Sequence, residues 1–158
     1  MLSKQCKFIQ ETGKTRTMKI RTYSELSKLK TFKERYRYLK LSGIIGEETF
    51  GFDRYLNQVF YKSPEYRAVR DKVILRDNGC DLGMKNYEIG GRIIIHHMNP
   101  ISKEDILNRS EFALNPEYLI CVSHGTHNAI HYGDESQLPI DNLVVRHPDD
   151  QAPWKRRN

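Results

Sequence analysis

Apolar positions along the chain fall first into a helical rhythm and only later into the short runs typical of strands. From Tyr23, the residues Leu26, Leu29, Phe32, Tyr36 and Leu39 recur every three to four positions, which predicts a helix or two short helices broken near Thr31. Leu41-Ser42-Gly43 ends that stretch. A second stripe, Phe52, Leu56, Val59 and Phe60, predicts a short helix with Asp53 as its N-cap. Ser63-Pro64-Glu65 then forms a strong helix start, because Ser accepts from free N–H groups, Pro suits the first turn and Glu complements the dipole. Tyr66, Val69 and Val73 form the inward line of this helix, Arg67, Arg70, Lys72 and Arg76 surround it, and Asn78-Gly79 stops it.

The rhythm then changes. Tyr87-Glu88-Ile89, Gly90-Gly91 and Arg92-Ile93-Ile94-Ile95 predict a hairpin turning on the glycine pair. Pro100 bars further strand, and Ser102 predicts a cap for a short helix through Asp105-Ile106-Leu107. Asn115-Pro116-Glu117 reads as a turn before an apolar strand, Tyr118–Val122. Ser123 or Thr126 starts a last helix that Gly133 ends. Beyond it, Pro139, Pro148 and Pro153 among many charges predict an extended tail carrying Trp154.

Composition adds a charge asymmetry. The net charge is +6, but residues 1–40 carry twelve Lys and Arg against three Glu, a net of +9, so the rest balances at −3. A basic segment on a near-neutral body favours a polyanionic partner such as nucleic acid, with a solvated helix face or a disordered tail as the alternative. No apolar run approaches membrane-span length, and three cysteines without a Cys-x-x-Cys spacing argue against a disulfide framework. A soluble, intracellular protein is expected.

Candidate chemistry gathers in residues 92–133. The chain has six histidines, four of which are His96, His97, His127 and His131. Four residues apart on a helix, His127 and His131 face one side, a spacing suited to one metal ion. Adjacent residues of a strand point apart, so His96 and His97 suit different tasks, one as ligand and one as base. The same region leaves a structural zinc site open, with Cys121, His124, His127 and His131 as ligand types.

His96-His97, Asn115-Pro116-Glu117-Tyr118-Leu119-Ile120 and His127-Asn128-Ala129-Ile130-His131 together resemble the HNH nuclease motif. The wider run from Tyr23 to Gly133, roughly 110 of 158 residues, resembles bacteriophage-encoded HNH endonucleases, a family that includes homing endonucleases. The resemblance implies an α+β fold: a flexible basic lead (1–20), a helical DNA-binding region (21–62), an HNH domain (63–135, ββα-metal core about 92–133) and a tail (136–158). It implies a DNA endonuclease acting in the cytoplasm of a host, as monomer or homodimer. His97 would be the general base, and His96, His127 and His131 would hold one divalent ion, Mg, Mn or Ni, with Zn also compatible. Arg67, Arg70, Arg76 and Arg92 would meet DNA. Tyr118 stands where the motif has its middle Asn, so Asn115, three residues earlier, takes that place among the catalytic residues, with Asn99 in the loop as the other candidate. Cys80 and Cys121 remain where related proteins carry zinc knuckles, with Gly83 and Thr126 near their partners' places, so no complete knuckle is expected. Two other readings stay open: a zinc-stapled DNA-binding module without catalysis, and a degenerate HNH fold used for protein contacts.

Overall fold

The computed structural model describes residues 6–8, 16–41, 54–83 and 87–138. Within the basic lead, β1 (Cys6–Phe8) pairs antiparallel with β2 (Arg16–Met18). The first apolar stripe becomes two helices, α1 (Tyr23–Leu26) and α2 (Phe32–Leu39), and the break falls at Thr31. Thr31 forms a reciprocal capping box with Glu34, which satisfies two N–H groups and starts α2 afresh. Leu26, Tyr36 and Leu39 are buried as the periodicity requires.

Helix α3 (Arg54–Lys62) buries Phe60, but Val59 is 52% exposed and faces outward. Phe52 and Asp53, expected to open this helix, lie outside the described residues, as do Ser42-Gly43 and the tail beyond residue 138. Helix α4 (Pro64–Asp77) begins as predicted, with the Ser63 hydroxyl accepting from Tyr66 N. It ends where Asn78 and Gly79 both turn left-handed, φ 54° and 66°.

The predicted hairpin does not form. Ile94–His97 (β3) pairs antiparallel with Leu119–Val122 (β4), not with Tyr87–Ile89. The latter runs beside Gly79–Asp81 instead, with Asp81 N donating to Tyr87 O and Ile89 N to Gly79 O. Burial supplies the reason. The inner residues of β3 need cover on both faces; β4 is buried at every position, whereas Glu88, Gly90 and Gly91 sit at the surface. Between the strands, α5 (Lys103–Leu107) starts on a Ser102–Asp105 capping box, α6 (Glu111–Leu114) follows, and a 3₁₀ turn (Pro116–Tyr118) leads into β4. Helix α7 (His124–Tyr132) is capped by Ser123 and closed by left-handed Gly133.

The result is an α+β arrangement whose central strand pair has helices on both faces. One face carries Ile120 and Val122 against Leu26, Tyr36, Leu39, Ala129 and Ile130, so α1, α2 and α7 cover it. The other carries Ile95, Leu119 and Cys121 against Val73 of α4. A neighbouring cluster joins Phe60 and Tyr66 to Ile101, Ile106 and Ala113.

Asp77, with its side chain fully buried, fastens the α4 face. Its carboxylate accepts from Arg76 Nε (2.8 Å), Arg76 Nη2 (3.1 Å) and Cys121 N (2.8 Å). Arg76 also donates to the carbonyls of Pro116 and Leu119, both at 2.7 Å, and its Cζ lies 3.5 Å from the Tyr23 ring centroid. This clamp sets the entry of β4, and therefore the register opposite His96 and His97.

Candidate metal centre

The site is assembled by one strand and one helix. The β-branched run Ile93-Ile94-Ile95 favours extended backbone and carries His96 and His97 to the end of β3. Alternation then separates them. His96, opposite Ile120 in the register, faces α7. His97, opposite Leu119, turns toward α3, α4 and α6, where its ring lies 6.4 Å from those of Phe60 and Tyr66.

On α7, Ser123 Oγ accepts from Thr126 N and donates to Thr126 Oγ1, whose hydroxyl donates to Asp81 Oδ2 at 2.7 Å. These bonds fix the first turn, and the i,i+4 spacing stacks His127 over His131 with ring centroids 4.4 Å apart. The His96 ring lies 5.5 Å from His127 and 5.1 Å from His131. One ligand nitrogen from each of the three lies within 4.8 Å of the others, and among the described residues no other His, Cys, Asp or Glu group of three could hold a metal.

Burial keeps these rings neutral. It is the first cause in all three: His96 is held well below its ordinary pKa, also by His131 and His127, while His131 is pushed to about 4 and His127 is lowered. Neutral imidazole is the ligating form. His96 Nε2 is buried and meets no hydrogen-bond partner among the described residues. Such an orphan costs about 1–3 kcal/mol. Around an ion bound at roughly 2.0–2.1 Å, tetrahedral nitrogens would stand about 3.3 Å apart, so the triad fits a metal after a small side-chain closure. Three imidazoles without a carboxylate suit nickel or zinc better than magnesium.

His97 has a different environment. Its Nε2 lies 3.2 Å from Ala113 O. A carbonyl only accepts, so Nε2 carries the proton and the Nδ1 lone pair is left as the basic one. Burial pushes its pKa to about 4 despite that bond, so the ring is neutral at neutral pH.

The other expected residues divide. Asn115 caps the 3₁₀ turn, with Oδ1 accepting from Glu117 N at 3.0 Å; it braces the approach to β4 and, among the described residues, bonds to no histidine. Asn99 instead pairs with the main chain of Arg21. Tyr118, at the middle position, packs on Phe112, and its carbonyl accepts from Met98 N. Arg67 and Arg92 are exposed, and Arg70 makes only a loose 3.7 Å ion pair with Asp71. Arg76 has donors engaged inside the fold, on Asp77, Pro116 and Leu119. In the basic segment, Arg35 is likewise internal, donating to the carbonyls of Leu29, Leu82 and Ser27. Lys28, Lys30, Lys33 and Arg37 remain exposed.

The alternative zinc set is not brought together. Cys121 faces Val73 across the sheet from α7, and His124 is exposed beside Asn128. Residues that sequence reasoning missed are Ala113, whose carbonyl fixes the His97 tautomer, and Arg21, which resembles its basic neighbours in sequence but is half-buried here. No helix among the described residues is long and apolar enough to cross a membrane. No protein-family model, no curated protein and no solved structure matches the chain.

Proposed function

We propose that this protein is an HNH-type DNA endonuclease that hydrolyses phosphodiester bonds with one divalent metal ion. The observation that carries the reading is the convergence of His96, His127 and His131, neutral through burial, with His96 Nε2 otherwise unpartnered. His96, His127 and His131 would hold the ion, which when bound supplies Lewis acidity to a phosphate oxygen and the leaving 3′-oxygen. His97 supports the base role: its Nε2 proton is held by Ala113 O, so Nδ1 can take a proton from water. Lys28, Lys30, Lys33 and Arg37 supply an exposed basic surface for DNA phosphates, joined by Arg67 and Arg92. DNA is the partner in this reading, the cytoplasm its setting, and either a monomer or a homodimer is compatible with it.

The test is cleavage of supercoiled DNA by metal-stripped protein reloaded with nickel, zinc, manganese or magnesium. Wild type is expected to cut with at least one metal, and His97→Ala to cut about 10²–10⁴-fold more slowly while still binding DNA. Equal rates for the two proteins would remove His97 as the base, and no cleavage with any metal would remove the nuclease reading.

A further inference from the structure

Helix α7 carries two of the three clustered histidines, and a buried carboxylate seats it. Asp81, 0% exposed, accepts at Oδ2 from the Thr126 hydroxyl (2.7 Å), and Thr126 Oγ1 accepts from the Ser123 hydroxyl (3.1 Å). Thr126 is itself fully buried and immediately precedes His127. Elsewhere on the same turn Gly125 lies against Gln137 O, which a Cβ would approach to 2.6 Å.

Helix capping does not account for this carboxylate. The start of α7 is already capped, because Ser123 Oγ accepts from Thr126 N. Burying a carboxylate is costly unless its bonds compensate, and Asp81 Oδ1 meets no partner among the described residues. The turn that presents it, Asp81–Gly83, is strained as well. Among the described residues Leu82 (φ 52°) is the one buried non-glycine with a left-handed backbone, and Gly83 (φ 62°) follows it. Three sides hold the turn in this conformation. The Leu82 carbonyl accepts from Arg35 Nη1 of α2 (2.8 Å), and its side chain joins the core cluster of Met98, Ile120 and Val122. Gly83 is wedged between the Tyr23 ring and the Asp77 carboxylate, which a Cβ would approach to 2.9 Å and 3.3 Å.

Metal ligation is the demand that such a fixed contact meets. A rotation of about 10° moves a side chain lying roughly 5–6 Å from the helix axis by about 1 Å. Metal–ligand distances hold to about 0.2 Å. The Thr126 bond pins the face of α7 beside that of His127 and His131, and so sets how far their nitrogens stand from His96. We infer that Asp81 is a positioning residue of the metal centre, acting through the Thr126 hydroxyl. The inference rests on the metal reading of the three histidines and is independent of DNA cleavage.

Two readouts on the full chain test it: calorimetric titration of metal-stripped protein with nickel, and the visible absorption of the cobalt-saturated protein, which reports ligand geometry. Asp81→Ala and Thr126→Val should each bind nickel about 10-fold or more weakly and show an altered cobalt spectrum at saturation. Asp81→Asn and Thr126→Ser, which keep the acceptor and the hydroxyl, should recover both properties. Lower melting temperatures with wild-type affinity and spectrum would make Asp81 a scaffold residue only and overturn the inference. Asp81→Asn binding as weakly as Asp81→Ala would also overturn it, because the charge and not the hydrogen bond would then matter. Should Asp81→Ala fail to fold, Thr126→Val decides, since it removes the bond and leaves the carboxylate in place. Wild type that takes up no metal removes the metal reading and this inference together, whereas wild type that binds no more tightly than Asp81→Ala and Thr126→Val removes this inference alone.

Discussion

Two buried polar groups lie on opposite faces of the β3–β4 sheet, and the fold treats them differently. On the α4 face, the Asp77 carboxylate accepts three hydrogen bonds, from Arg76 twice and from Cys121 N. On the α7 face, His96 Nε2 accepts and donates none among the described residues. The first group is saturated and holds strands in register. The second costs stability and gives the fold nothing in return. A buried polar group that the scaffold leaves unused is where a ligand is to be sought.

Asp77→Ala should cost about 3–5 kcal/mol, because it strands Arg76 partly buried beside two carbonyls. Denaturant melts will show this, and a loss below about 1 kcal/mol would mean that the clamp holds nothing. His96→Leu should behave in the opposite way. It removes an unsatisfied polar atom and is expected to leave metal-free stability unchanged or about 1 kcal/mol higher, while abolishing metal binding. A large destabilisation would show that His96 is scaffold after all.

Asp81 sharpens the contrast at smaller amplitude. It is buried, with Oδ2 bonded to Thr126 and Oδ1 unpartnered among the described residues, and burial raises its pKa above the ordinary 3.8. Between 3.8 and the raised value the folded chain binds more protons than the unfolded one. The contribution of Asp81 to stability is therefore fully present below pH 3.8 and is lost as pH rises through its folded pKa. Asp81→Asn, which can still accept from Thr126, should flatten that slope in metal-free melts. An unchanged slope would assign the pH dependence to other groups.

Much of this was legible in the sequence. Thr31 and Ser63-Pro64 act through bonds to residues three positions on, so local spacing reveals them. The i,i+4 histidines and the alternation of His96 and His97 follow from helix and strand periods. Partner choice was not legible. The Gly90-Gly91 pair is a good turn signal, yet β3 pairs with β4, some twenty-five residues on, because only β4 buries both faces. The fates of the arginines were hidden for the same reason. Arg21, Arg35 and Arg76 are chemically identical in sequence and are distinguished by carbonyls that the tertiary fold brings to them.

The most direct measurement is a calorimetric titration of metal-stripped protein with nickel. Wild type should bind one ion per chain, and folded His96→Leu should bind none. Wild type that takes up no ion, or His96→Leu that binds as wild type does, would contradict a metal centre here.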